Sequence, residues 1–214
     1  MTLSPWTSDR TIRIFRIFFV SLGWLGIVIQ HIVNILDGDI FGLYRYYSIQ
    51  SNYFVLIWWV LALLWQGTAR YDQIDGKVRS ALLTYITITF VVYHFLLSAT
   101  HNPTGIEGYA NIVIHYITPN AFVLDFILTE RHRFQWTWPF IFLIYPLAYL
   151  AFVLVLGAFT GFYPYYFLNL PELGVAEFSI WVGILLLAFV IFGSIYGGIN
   201  YLLTRHYSSE EKEP

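Results

Sequence analysis

The chain predicts an all-α, polytopic membrane protein: a six-transmembrane-helix bundle over residues 1–214 with no separate soluble domain. Three observations predict it. Hydrophobic residues make up 58% of the chain and charged ones only 11%, with aromatics at 21%, a balance foreign to soluble domains. The apolar residues gather into six runs, each close to the ~20 residues that a helix needs to span a bilayer. The basic residues fall almost entirely on one side of the topology those runs imply. There is no cysteine, which excludes disulfides, thiolate metal sites and cysteine nucleophiles. No basic face or motif supports nucleic-acid binding.

The first run, 14–36, is long enough to span and has no small-residue cleavage site behind it, so it reads as an anchor and not a leader. His31 and Asn34 sit near its end. The second, 46–66, opens on Tyr46-Tyr47-Ser48-Ile49-Gln50-Ser51-Asn52 before turning apolar. The third, 78–100, carries Thr84, Thr87, Val91, His94, Ser98 and His101 at steps of 3, 4, 3, 4 and 3. The fourth, 109–129, carries Asn111, His115, Thr118, Phe122 and Asp125 at steps of 4, 3, 4 and 3. Both spacings hold one helix face, and that face points into a bundle, because exposing His or Asp to lipid costs several kcal/mol. The fifth, 138–160, and sixth, 178–203, read as structural. Gly157 with Gly161, Gly193 with Gly197 and Ser194 with Gly198 have the spacing of close helix contacts. Pro119 and Pro146 predict kinks that free the carbonyls of His115 and Phe142. Linkers fall at 70–77, 130–135 and 161–177, and 206–214 reads as a solvated tail.

Six spans put both termini on one side. That side receives Arg10, Arg13, Arg16, Arg70, Lys77, Arg79, Arg131, Arg133, Arg205 and Lys212, and the other only Arg45. This asymmetry predicts cytoplasmic termini. His31, Ser48, Asn52, His94, Ser98, His101, Asn111 and His115 then all lie in the outer half, where they form a polar chamber. Asp125 lies about 15 Å deeper than His115, so it reads as a helix-locking or proton-bearing carboxylate and not as a partner of His115.

A hydroxyl and an imidazole at matched depth, Ser48 and His115, have the chemistry of a nucleophile and its general base. Ser51 is a rival nucleophile. Gln50, Asn52 and Asn111 carry amides that can stabilise an oxyanion or position a substrate. His94, Ser98 or the Tyr163–Tyr166 loop can orient His115, and no Gly-x-Ser-x-Gly elbow is present. The same polar groups also fit helix-bridging hydrogen bonds, a non-enzymatic lipid or small-molecule binding or transport chamber, a metal-dependent lipid hydrolase, or haem held between histidines. No tight metal-ligand spacing exists, and no cofactor or metal is expected.

Three blocks carry a resemblance: Tyr46 to Asn52; Asn111-Ile112-Val113-Ile114-His115 with Pro119; and Gly161-Phe162-Tyr163-Pro164-Tyr165-Tyr166-Phe167-Leu168-Asn169. With the six spans, they resemble the androgen-induced / androgen-dependent TFPI-regulating protein family and its bacterial six-span relatives. The resemblance implies an intramembrane threonine-type hydrolase of fatty acid esters of hydroxy fatty acids. Ser48 stands at the nucleophile position, where the family usually has Thr, and His115 at the histidine position. It further implies a membrane lipid as substrate and a bacterial cytoplasmic membrane, and the basic asymmetry predicts a site opening on the extracytoplasmic side. Tyr163 and Tyr165 would then lie in a lid or cap.

Overall fold

In a computed structural model, residues 9–72, 76–130 and 132–210 are described. Six helices are long and apolar enough to cross a membrane: α1 (Asp9–Leu36), α2 (Tyr47–Trp65), α3 (Gly76–Leu97), α4 (Gly105–Thr129), α5 (Trp138–Thr160) and α6 (Leu170–Thr204). No strand occurs among the described residues. The expected spans are all present, with shifted ends. α1 starts at Asp9 instead of residue 14, and α4 at Gly105 instead of 109. α6 starts at Leu170 instead of 178, because its first turn precedes a break at Gly174, whose φ of 70° favours glycine. Its backbone stays helical to Glu210, so that part of the expected tail is helix, and 211–214 lie outside the described residues.

Two clusters form the core. Val20 and Ile27 of α1, Val55, Leu56 and Trp59 of α2, Leu83 and Ile86 of α3, and Ile114, Phe122 and Phe126 of α4 pack into one. Tyr85 and Ile88 of α3, Phe142, Tyr149 and Val153 of α5, Phe167 and Leu168 of the α5–α6 loop, and Phe189 of α6 make the other. α3 belongs to both and joins the two halves. The buried face of α1 runs Ile12, Arg16, Val20, Gly23, Gly26, Ile27 and Gln30, a helical period that places an arginine on the inward stripe.

Of the expected small-residue pairs, Gly193 of α6 does make a close helix contact, on Pro139 and Phe142 of α5. A Cβ at Gly157 would enter the ring of Tyr163, one at Gly197 the ring of Phe134, and one at Gly193 would press on Phe142 and Pro139. These glycines receive side chains, mostly rings, and Gly198 faces open space. Close approaches of one helix to another also use Gly23, against the Leu56 side chain, and Gly26, against that of Val113.

The two prolines act locally. Pro146 leaves the Phe142 carbonyl without its helical N–H, and the Tyr85 hydroxyl donates to that carbonyl at 3.0 Å. Pro119 follows a π turn, Val113–Ile117, in which the Thr118 N–H reaches back to the Val113 carbonyl. A second π turn, Tyr93–Leu97, closes α3. Such single wide turns are rare and recur at functional sites.

Candidate functional site

The site begins at the N-terminus of α2. The first N–H groups of a helix have no partner within it, and Tyr46 at the cap position contributes no side-chain bond. Phenols from elsewhere supply the acceptors. Tyr149 accepts the Tyr47 N–H at 3.2 Å and donates to the Arg45 carbonyl at 2.8 Å. Tyr165 accepts the Ser48 N–H at 3.4 Å. Its ring is clamped by Phe167, stacked at 5.1 Å, and by the edge of Tyr46. Burial raises the Tyr165 phenol to about 12, so it keeps its proton throughout the neutral range. Ser48 therefore rides on a helix start fixed by two buried phenols, with the positive end of the α2 dipole behind it.

His115 sits in the π turn of α4. Its Nδ1 lies 3.1 Å from the Asn111 carbonyl, the acceptor that an uninterrupted α-helix reserves for the His115 N–H. A carbonyl only accepts, so Nδ1 carries the hydrogen and Nε2 is left with its lone pair. The imidazole stacks on Tyr93 at 3.9 Å and 17°. Tyr93 receives a short hydrogen bond from Asn111 Nδ2 and donates to the His101 carbonyl at 2.8 Å. The orienter of His115 is thus the Asn111 backbone with the Tyr93 ring. His94 and Ser98, expected in that role, do not take it: His94 is exposed and pairs with Tyr116 at 3.3 Å, and the half-buried Ser98 bonds its own helix at the His94 carbonyl.

Ser48 and His115 line the same two cavities. One, of about 280 Å³, is polar and includes Gln30, Asn34, His101, Glu107 and Asn111 in its wall. The other, of about 70 Å³, is apolar and runs between α3, α5 and α6 past Ile88, Val92, Leu150, Leu185 and Phe189. Five residues belong to both: Ser48, Tyr93, Leu97, His115 and Tyr165. No hydrogen bond joins Ser48 to His115 among the described residues, and both side chains border space large enough for a water or a ligand group.

The expected amide donors are engaged elsewhere. Asn52 is fully buried and its Nδ2 donates to the Ser48 carbonyl at 2.8 Å and the Ile114 carbonyl at 3.0 Å. It ties the turn bearing Ser48 to the turn bearing His115, and is a bridge instead of a free donor. Gln50 points away from both cavities, giving Nε2 to the Tyr44 carbonyl and accepting from Tyr145. Asn111 lines the polar chamber, but its Nδ2 is held by Tyr93. Ser51 is buried and bonded to Thr89 at 2.7 Å and to the Ser48 carbonyl. Tyr163 fills the notch at Gly157 and borders neither cavity. His31 is bound at both nitrogens, to the Ile27 carbonyl and to Tyr53. Among the described residues no three His, Asp or Glu side chains converge as a metal-ligand set.

Asp125 lies in a separate cluster near the end of the bundle where α1 starts. Its carboxylate takes Arg16 Nε at 2.8 Å and Arg79 Nη2 at 2.7 Å. Arg79 also reaches Glu130 at 3.2 Å, and Thr129 accepts from both arginines. Tyr71 takes Arg16, and the Trp58 ring lies under both guanidiniums at 5.4 and 4.6 Å. Charge counting treats Arg16 and Arg79 as boundary residues and misses this cluster. The spacing of Arg16 from Ile12 and Val20 is the signal that finds it.

Comparison with known protein families, with curated proteins and with solved structures finds no match for this chain.

Proposed function

We propose that the protein is an intramembrane serine-type hydrolase of lipid esters, with Ser48 as nucleophile and His115 as general base. The observation that carries the reading is the junction: the hydroxyl and the imidazole belong to the few residues that border both a polar chamber and an apolar cavity. An amphiphilic ester fits such a junction, with its acyl chain between α3, α5 and α6, its alcohol portion in the chamber, and its carbonyl between the two.

The Ser48 hydroxyl attacks the ester carbonyl and gives its proton to His115 Nε2, directly or through one water. Asn111 holds the imidazole in the tautomer that this transfer needs. The Tyr165 phenol, already bonded to Ser48, donates to the oxyanion of the tetrahedral intermediate. His115 then returns the proton to the departing alcohol, and water releases the acid from Ser48 by the reverse sequence. The family resemblance of the three sequence blocks supports the reading and suggests fatty acid esters of hydroxy fatty acids among the candidate substrates. The basic asymmetry supports cytoplasmic termini, which turns the chamber toward the extracytoplasmic side. The missing Ser48–His115 hydrogen bond favours one second reading, a non-catalytic lipid-binding chamber.

A fluorophosphonate probe separates the two. Labelling of the wild type that is lost in Ser48→Ala and in His115→Ala supports the hydrolase. Specific lipid binding without labelling, unchanged by either substitution, supports the binding chamber.

A further inference from the structure

We infer that the polar chamber is a headgroup subsite that takes an uncharged, hydroxyl-bearing alcohol portion and rejects an anionic one. This rests on the ester-hydrolase reading and names the substrate class of the same site. Among the described residues, the chamber wall holds no lysine or arginine, and its acidic member is Glu107. Glu107 is half-buried in the first turn of α4, and no ion pair or hydrogen bond partners its carboxylate among the described residues. A first-turn glutamate complements a helix dipole, and that accounts for its tolerance there. It does not alter what a ligand meets: a carboxylate or phosphate entering the chamber faces a like charge with no guanidinium or ammonium to balance it.

Arg45, the base closest to Ser48 in sequence, is not available to such an anion. It pairs with Asp39 at 3.2 Å and lies over the Phe162 ring at 5.1 Å. Besides the imidazoles of His101 and His115, the other polar groups of the wall are uncharged, among them the carboxamides of Gln30, Asn34 and Asn111 and the phenols of Tyr46 and Tyr165, set among apolar side chains such as Leu43 and Ile114. Neutral amides and phenols match the hydroxyls of a glycol or glycerol, each of which both donates and accepts. A monoacylglycerol-like ester therefore fits this chamber better than the fatty acid ester of a hydroxy fatty acid that the family resemblance suggests, because the free carboxylate of the latter would need a counter-charge there.

Two esters of one size test this: ethylene glycol mono-oleate, which is uncharged, and O-oleoylglycolate, which carries a carboxylate. At about pH 8, above the ordinary histidine range, the wild type should show a kcat/KM at least about tenfold higher for the glycol ester, the ratio one unbalanced charge commonly produces. Glu107→Gln should narrow that ratio toward unity, and Glu107→Lys should invert it. Equal rates for the two esters, or a ratio that both substitutions leave in place, overturn the subsite while leaving the hydrolase standing. Oleoylcholine turning over faster than the glycol ester also overturns it, since the chamber would then select a cation. The intact esters bound to Ser48→Ala, measured by displacement of a fluorescent lipid, give the same comparison without chemistry. A binding preference for the glycol ester with no hydrolysis by the wild type supports the subsite and removes the hydrolase reading.

Discussion

At the residue scale, the candidate chemistry depends on which polar groups are already committed. Ser48, His115 and Tyr165 each bring a polar group to the wall of the shared cavities: a hydroxyl, an imidazole and a phenol. Ser51, Gln50 and Asn52 are spent on fixed partners. Tyr165→Phe keeps the ring in its stack on Phe167 and removes the hydroxyl. We expect kcat for ester hydrolysis to fall by roughly a hundredfold, the usual loss for one oxyanion donor, with KM little changed. A fall in KM-limited rate alone, with kcat intact, would place Tyr165 in substrate binding instead. The pair Ser48→Ala and His115→Ala should be non-additive: the double variant should be no slower than either single one, as for groups that act as a unit. The sequence made Ser48 and His115 legible because both sit at helical spacing among apolar residues. It could not separate them from Gln50 and Asn52, since a strand of polar letters at one helix start does not say which carbonyl each amide will find.

At the element scale, two devices hold the site that spacing alone does not reveal. One is the π turn of α4, which carries His115 with its imidazole bonded back to the Asn111 carbonyl. Pro119 announces a kink there, yet the wide turn precedes the proline, and its extra residue rotates the upstream face relative to a plain α-helix. The other is the α5–α6 loop, which delivers Tyr165 to the start of α2 and anchors Tyr163 in the notch at Gly157. The loop's aromatic block was legible as a motif, but its docking on α2 is a long-range contact with no local signature. Gly157→Ala should displace Tyr163 and destabilise the protein by about 1–3 kcal/mol through overpacking, with a matching loss of labelling at Ser48. Gly157→Ala combined with Tyr163→Ala should recover most of both, because the clash is between those two groups. Thermal unfolding in detergent and probe labelling on the four proteins give the cycle; strict additivity would mean that the notch does not seat the loop.

At the scale of the whole molecule, the fold class follows from composition and hydropathy, which act on every residue and leave little choice of architecture. The orientation in the bilayer rests on charge placement, and single-cysteine labelling tests it cleanly in a chain without cysteine. Thr68→Cys, exposed between α2 and α3, should resist an impermeant maleimide in intact cells, and Asn102→Cys, exposed between α3 and α4, should react; the reverse pattern would invert the topology. The ion cluster binds α1, α3 and α4 at the end remote from Ser48. Charge counting left it hidden because an arginine at a span end reads alike whether it faces water or a buried carboxylate. Asp125→Asn leaves Arg16 and Arg79 without their shared counter-charge and should cost about 3–5 kcal/mol, yet the folded fraction should retain hydrolysis, since Asp125 borders neither cavity at Ser48. Glu130, beyond the end of α4, gives the cluster its pH dependence. Burial alone would raise its carboxyl, but the hydrogen bond from His132 and the charge of Arg79 outweigh burial and hold it below the usual 4.5. A depressed carboxyl stabilises the folded state above pH 4.5, and that contribution disappears as the pH falls through the lowered value. Thermal midpoints measured downward from neutral pH should therefore drop below that point, and the drop should be shallower in Glu130→Gln, whose midpoint at neutral pH should already be lower. Parallel curves for the two proteins would show that acid acts on the bundle elsewhere than at Glu130.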